Sequence, residues 1–292
     1  MQPPLLLIAD RWKDYEIIDA GSGEKLERWG THQLIRPDPQ ILWPATKPPE
    51  VWHKAHARYQ RSSQGGGHWD KIRSLPDRWT IAYGDLAFNV RPTEFKHLGL
   101  FPEQAANWDW LAAKIIAANR PIQMLNLFAY TGAATVAAAK AGAAVCHVDA
   151  AKGMVNWAKD NLKLNDLQDK PVRFIVDDVL KFIQREARRK KTYDAIIMDP
   201  PSFGRGTQGE TWKIEKFLLA LVEQSAALLS TQPLFFLINS YTAGYSPLVL
   251  QNLLATVLKK HKPAVTCGEL ALPVSDTSLC LPCGVFARAE FI

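Results

Sequence analysis

The amino-acid sequence predicts an α/β protein in which a smaller, mostly β domain precedes a mostly parallel sheet covered by helices. Three observations carry that expectation. After residue 100, short apolar runs alternate with segments of helical period, the pattern of consecutive βαβ units. Before residue 91 the runs are shorter, and clusters rich in Gly, Pro and Ser break them. With 292 residues, 47% hydrophobic and 22% charged, the chain can bury a large core, and its composition lies far from the disordered and fibrous classes. The expected division is residues 1–91 and 92–292.

In the first domain, Leu5–Ile8, Tyr15–Ile18 and Trp79–Tyr83 read as strands. Pro37, Pro39, Pro44, Pro48 and Pro49 exclude a long helix, and residues 62–67 (SSQGGG) read as a flexible loop tip. The stretch from Ile17 to Gly23 (IIDAGSG) imitates a glycine-rich cofactor loop. No periodic helix and acid-terminated strand follow it, so it is expected to be a hairpin turn. Trp12, Trp29, Trp43, Trp52, Trp69 and Trp79 are expected to fill this domain's core, although such rings also stack on bases in single-stranded RNA binders.

In the second domain, Glu103–Asn119 has apolar residues at helical spacing. Strands are then expected at Gln123–Phe128, Ala143–Val148, Val172–Val176, Tyr193–Met198 and Leu234–Ile238, with helices starting at Gly132, Lys152, Val179 and Ile214. Right-handed crossovers put such strands into one parallel sheet whose carboxyl ends hold ligands. Ala264–Leu270 and Val285–Phe291, joined by a turn-rich segment, are expected to form an antiparallel hairpin at the sheet edge.

The first strand-turn-helix, from Met124 to Thr135 (MLNLFAYTGAAT), turns at Thr131-Gly132 into an Ala-rich helix that can pack closely on the sheet. Dinucleotide sites need three glycines to bring backbone against a pyrophosphate. This turn has one, so a ligand without phosphates is expected. The second strand ends at Val148-Asp149, 17 residues beyond Gly132, where a carboxylate accepts hydrogen bonds from ribose hydroxyls. The third ends at Asp177-Asp178-Val179, placed for an adenine amino group. Ribose and adenine without pyrophosphate point to S-adenosylmethionine. Each acid taken singly also suits an ordinary helix cap; their joint order and spacing favour the cofactor.

The segment from Tyr193 to Phe203 (YDAIIMDPPSF) is a buried strand stopped by two prolines, which hold Asp199 and the Pro200 carbonyl at the sheet's carboxyl edge. Either oxygen can accept from a base's amino or imino group, and Phe203 offers a face on which a flipped base can stack. The plainer alternative is a strand stop with a buried phenylalanine. Residues 204–209 (GRGTQG) read as a mobile loop able to order over a substrate.

A formal net charge of +6 suits a polyanionic partner such as RNA. Two basic runs, residues 185–191 and 259–262, each close an expected helix, where cations complement the dipole. No stretch reaches the ~20 apolar residues of a membrane span, and Leu5–Ala9 is too short for a secretory signal. Cys146, Cys267, Cys280 and Cys283 make no disulfide framework. A soluble cytoplasmic protein is expected. Cys280-Leu-Pro-Cys283 lacks the second ligand pair of a zinc site, so strand cysteines and no metal are expected.

With these motifs assembled, the chain resembles the class I S-adenosylmethionine-dependent methyltransferases, in particular the bacterial family containing the 23S ribosomal RNA cytosine-C5 and guanine-N7 enzymes. Phe128-Ala-Tyr-Thr-Gly132 is similar to that family's cofactor turn, Asp149 to its ribose-binding acid, Asp178-Val179 to its adenine contact and Asp199-Pro-Pro-Ser-Phe203 to its Asp-Pro-Pro-x-Phe signature. His97-Leu-Gly-Leu-Phe-Pro-Glu-Gln104 is similar to its Lys-x-Gly-x-Phe-x-Asp-Gln-Arg segment, which approaches the methionine end of the cofactor. His97, Glu103 and Ala105 stand where that segment has Lys, Asp and Arg, and no amino-terminal RNA-binding domain of the usual kind is visible.

The resemblance implies a Rossmann-like sheet of seven strands with the last antiparallel. It further implies that Phe101, Gln104, Asn126, Phe128, Ala129, Tyr130, Thr131, Gly132, Asp149, Ala150, Asp178, Val179 and Asp199 bind the cofactor. Asp199, Pro200, Pro201 and Phe203 form the reaction site, and a nucleic-acid base, expected to be in ribosomal RNA, receives the methyl. A nicotinamide-dependent oxidoreductase is disfavoured by the single glycine. A methyltransferase acting on a protein or small molecule, or a non-catalytic RNA-binding relative, stays open.

The expected mechanism is direct attack by a substrate heteroatom without a covalent intermediate. Methylating a pyrimidine carbon requires a thiolate to add to the ring first, and the resembling C5 enzymes place it at the end of the strand after Asp-Pro-Pro. Here Asn239 and Ser240 occupy that place. Cys283 is the thiol that could substitute if the terminal hairpin reached the cleft.

Overall fold

A computed structural model describes residues 3–62, 66–205 and 211–291, with the side chain of Arg205 excepted. In chain order the elements are β1 (Leu5–Ile8), β2 (Tyr15–Gly21), β3 (Glu24–Trp29), β4 (His32–Pro37), α1 (Pro49–Trp52), β5 (Ala57–Arg61), β6 (Gly67–Lys71), β7 (Trp79–Tyr83) and β8 (Leu86–Val90). Then follow α2 (Ala105–Ala117), β9 (Gln123–Leu127), α3 (Ala133–Lys140), β10 (Ala144–Asp149), α4 (Lys152–Leu164), β11 (Val172–Val176) and α5 (Val179–Arg188). The rest are β12 (Ala195–Met198), β13 (Phe203–Arg205), β14 (Thr211–Lys213), α6 (Ile214–Ala226), β15 (Phe235–Ser240), α7 (Pro247–Val257), β16 (Ala264–Pro273) and β17 (Cys280–Glu290).

Two compact units emerge. The larger comprises Met1–Leu7, Ala106–Leu270 and Gly284–Ile292, the smaller Ile8–Ala105 and Ala271–Cys283. This differs from a single cut between residues 91 and 92 in three ways, the first being that residues 92–105 stay with the smaller unit. Residues 271–283, between the strands of the terminal hairpin and including parts of both, go with the smaller unit. Leu5–Ile8, expected in the first domain, instead joins the large sheet as β1, next to β16. Gly268 explains the close fit, because a Cβ there would meet the Leu5 carbonyl oxygen at 2.1 Å.

The large sheet has the order β1-β16-β17-β15-β12-β9-β10-β11, eight strands where the resemblance implies seven. β9, β10, β11, β12 and β15 pair in parallel, and β17 runs antiparallel to β15. Every residue of β12 and β15 is buried, as expected of central strands covered on both faces. On one face Leu125, Ile196 and Phe236 pack with Phe182 of α5, Leu221 of α6 and Leu250 of α7. Burying a side chain of that size contributes roughly 1.5–3 kcal/mol. On the α3 side the packing is closer. Gly132 has φ +82°, and a Cβ on it would meet the Ala158 Cβ of α4 at 2.7 Å.

In the smaller unit, β2-β3-β4-β5-β6 form one sheet and β7-β8 another. Ser22 (φ +52°) and Gly23 (φ +84°) join β2 to β3 as a two-residue hairpin turn, the outcome expected for the glycine-rich stretch there. Of the six tryptophans only Trp29 is fully buried; the other five are half-buried. The glycine-rich tip between β5 and β6 falls partly outside the described residues, at 63–65.

Candidate active site

The parallel registers align Ile175, Val148, Leu127, Met198 and Ile238 across five strands. One residue further along the chain, at the carboxyl edge, stand Val176, Asp149, Phe128, Asp199 and Asn239. Four of these five are polar or aromatic, although the row directly behind them is apolar throughout. The sheet therefore brings the second strand's acid, the cofactor turn and the Asp-Pro-Pro-Ser-Phe segment to one line.

The turn after β9 is held in an uncommon conformation. Phe128 (φ +56°) and Tyr130 (φ +50°) lie in the left-handed region together with Gly132. Two such non-glycine residues in three positions cost on the order of 1–3 kcal/mol each unless the surroundings hold them. Ala129 donates its backbone N–H to the Val148 carbonyl at 3.0 Å. Asp149 Oδ2 accepts from the Tyr130 N–H at 2.9 Å. The buried Asn161 of α4 donates Nδ2 to the Thr131 carbonyl at 2.9 Å. Beneath the turn, Asn126 donates Nδ2 to Thr135 Oγ1 at 3.0 Å, and Thr135 lies 2.9 Å from His147 Nδ1. Burial pushes His147 down to about 3, so it is a neutral packing imidazole. Asn126, 3% exposed, therefore turns its side chain into this interior network.

Asp149 is half-buried, and burial raises its pKa although Ala151 and Tyr130 donate backbone N–H groups to it. Those two bonds leave carboxylate lone pairs unused. Ala150 beside it is exposed. Asp178 caps α5, its Oδ1 accepting from the Lys181 N–H at 2.9 Å, so the capping role considered for the acids applies to it; Val179 next to it is buried. Asp177 pairs with Arg185, the first cation of the basic run that closes α5.

At the other end of the row, Asp199 is half-buried, Pro200 buried, and Pro201 and Ser202 exposed. Phe203 is 54% exposed, which overturns the alternative of a strand stop with a buried phenylalanine. Gly204 and Arg205, expected in a loop, pair in β13 with β14; residues 206–210 lie outside the described residues. Trp212 of β14 was not anticipated. It donates Nε1 to the Pro201 carbonyl at 2.6 Å, lies 5.8 Å from the Phe128 ring, and stacks on Phe217 at 5.6 Å. It thereby joins the cofactor turn to the proline segment. The one cue in the sequence is an aromatic residue just after a glycine-rich stretch.

Phe101 and Gln104 belong to the smaller unit, where Phe101 packs against His97 at 5.1 Å and Gln104 is buried. Burial pushes His97 down to about 3, so this imidazole carries no charge where the resembling segment has lysine. Cys280 and Cys283 lie in β17. Burial pushes the Cys283 thiol well up, and the negative charge of Glu103 adds to the effect. Among the described residues no cluster of His, Cys, Asp and Glu could hold a metal ion, and no helix is long and apolar enough to cross a membrane.

The residues fit S-adenosylmethionine. A half-buried carboxylate with unused lone pairs stands beside a strained turn bearing one glycine, and nothing there resembles a pyrophosphate cradle. A solved S-adenosylmethionine-dependent methyltransferase from Agrobacterium tumefaciens superposes with a TM-score of 0.95 at 37% identity, covering 99% of this chain and 94% of that one. Ribosomal RNA large subunit methyltransferase K/L of Syntrophotalea carbinolica is 32% identical over 186 residues, 63% of this chain. Its counterpart from Magnetococcus marinus is 31% identical over 233 residues, 78% of this chain. The chain spans only 25% and 31% of the length of these two relatives. The family model for S-adenosylmethionine-dependent methyltransferases matches residues 43–252, and with the sheet and its carboxyl-edge row this places the chain in that family.

Proposed function

We propose that this protein transfers the methyl group of S-adenosylmethionine to a base of RNA, ribosomal RNA in the first place, by direct attack of a substrate heteroatom. The observation that carries the reading is the row Asp149, Phe128, Asp199, with the exposed Phe203 ring following two prolines at its end. The names of the two ribosomal RNA methyltransferase relatives add ribosomal RNA as the acceptor class. When bound, the cofactor supplies an electrophilic methyl on a sulfonium centre.

Asp149 accepts the ribose hydroxyls, Phe128 to Gly132 and Ala150 line the turn around them, and Asp178 and Val179 flank the adenine. Asp199 and the Pro200 carbonyl accept hydrogen bonds from the incoming base. Pro201 fixes the segment, and Phe203 stacks on the base, aligning its lone pair at near-attack distance. The position after the Asp-Pro-Pro strand holds Asn239 and Ser240, and the Cys283 thiol resists ionisation, which argues against a thiolate-addition route. The amino-terminal residues 1–91 contribute contacts for a large acceptor. An acceptor in ribosomal RNA puts the reaction in the cytoplasm.

Incubating the protein with labelled S-adenosylmethionine and total RNA from a strain lacking it tests this. Label is expected in large-subunit ribosomal RNA, on a nitrogen or oxygen of the base, with Cys283→Ala retaining turnover. A 5-methylcytosine product, or loss of turnover in that variant with intact cofactor binding, would refute direct attack. RNA affinity is expected to drop steeply between about 50 and 200 mM salt through counterion release, and a flat response would favour a protein or small-molecule acceptor.

A further inference from the structure

Asn239, beside Asp199 in the carboxyl-edge row, ends a hydrogen-bond chain whose direction is set at its far end. Arg288 of β17, 6% exposed, donates Nε and Nη2 to Asn107 Oδ1 at 3.2 and 2.5 Å, and Nη2 also to the Ala106 carbonyl at 3.2 Å. A guanidinium has no acceptor, so the oxygen of Asn107 must face it and the nitrogen must face onward. That nitrogen donates to Asn239 Oδ1 at 2.9 Å. The Asn239 Nδ2 is thereby turned away from Asn107. It has no partner among the described residues, and it is not one of the fully enclosed polar atoms that lack one.

Arg288 is well anchored, its guanidinium 4.5 Å from the Trp110 ring centroid and 4.7 Å from that of Phe286. Burial pushes it down to about 10, which leaves it a cation at neutral pH. A buried guanidinium and two buried amides are a costly way to fill a strand end if only packing is needed. They do fix which half of the Asn239 amide is presented at the carboxyl edge.

We propose that Asn239 is a specificity-determining residue whose amide N–H donates to an acceptor atom, a ring nitrogen or a carbonyl oxygen, of the base that receives the methyl. Asn107 and Arg288 are positioning residues that keep the donor half of that amide outward. With Asp199 and the Pro200 carbonyl as acceptors one strand away, about 4.8 Å, the edge offers an acceptor beside a donor. Base edges carry the complementary pattern. The inference rests on the reading of this site as a base methyltransferase.

Asn107→Asp is the informative variant. The new carboxylate accepts from Arg288 but cannot donate to Asn239, so the Asn239 amide turns over and presents its oxygen. The readouts are label transfer to total RNA from a strain lacking the protein, calorimetric binding of S-adenosylhomocysteine, and the melting temperature. Both Asn107→Asp and Asn239→Ala are expected to lower kcat/KM about ten- to a hundredfold with S-adenosylhomocysteine affinity unchanged. Asn107→Leu, which leaves the amide free to rotate, is expected to fall between them and the wild type. Wild-type turnover in Asn239→Ala overturns the proposal. Losses that track the melting temperature alone, or that accompany weakened S-adenosylhomocysteine binding, also overturn it, the first making the chain structural and the second turning Asn239 to the cofactor. A wild-type protein that labels no RNA overturns the functional reading itself, a result distinct from all of these.

Discussion

Glu27 in the smaller unit and Asp149 at the edge of the large sheet are both carboxylates drawn out of water, and their surroundings push them in opposite directions. Burial raises Glu27, but the charges of Arg36 and Lys25 outweigh it and hold the group at about 2. Its oxygens accept from Arg36 Nε at 2.5 Å, Arg36 Nη2 at 2.7 Å and the Tyr15 hydroxyl at 2.6 Å. Asp149 has no cation, only two neutral backbone N–H donors, and burial prevails. The contrast separates a carboxylate completed by the protein from one that the protein leaves for something else to complete. The first reads as architecture. The second is where a ligand's hydroxyls gain most, because each bond they donate relieves a charge already stripped of water.

The largest effect should come from breaking the completed pair. Arg36→Met leaves the buried Glu27 with only the Lys25 ammonium, 3.7 Å away, and the Tyr15 hydroxyl, and is expected to cost ~3–5 kcal/mol in chemical denaturation. The folded pKa of Glu27 lies below its unfolded value near 4.3, so its stabilisation is complete above that value and is lost as pH falls toward about 2. The variant should show a smaller acid limb, since Lys25 and Tyr15 remain. A cost below about 1 kcal/mol would mean that Glu27 is not sealed from water.

Asp149→Ala should do the reverse, costing less stability than Arg36→Met while weakening S-adenosylhomocysteine binding about a hundredfold, from two hydrogen bonds at ~1.5 kcal/mol each. An unchanged dissociation constant by calorimetry would erase the distinction between the two acids. Gly132→Ala comes next, at roughly 1–3 kcal/mol of stability, because its Cβ would press on Ala158 from a left-handed backbone. Circular dichroism melting of that variant reads how far the turn can yield.

The smallest effect is the pH dependence of binding. A raised folded pKa means that the contribution of Asp149 to stability is present below its unfolded value and lost as pH rises through the folded one, opposite to Glu27. Ligand hydroxyls favour the ionised form, so S-adenosylhomocysteine affinity should rise with pH through the same range and then level. A dependence of the opposite sign would show that Asp149 binds as the neutral acid.

The sequence determined the strand-helix alternation, the single-glycine turn, the acid closing β10 and the proline stop after β12, because each is written in consecutive residues through periodicity or the fixed φ of proline. It also showed that the Ser22-Gly23 stretch lacks the helix a cofactor loop needs. Tertiary structure alone decided that Leu5–Ile8 adds an eighth strand to the large sheet, since an edge strand is claimed by whichever neighbour can approach it, and here that is the strand with Gly268. It alone decided that Asp178 caps a helix while Asp149 does not, that Trp212 closes on Pro201 and Phe128, and that Arg288 orients Asn107 and Asn239 from 181 and 49 residues away in the chain. Hydrogen-bond direction and desolvation depend on which groups fold up against one another, and no local pattern of residue types encodes that.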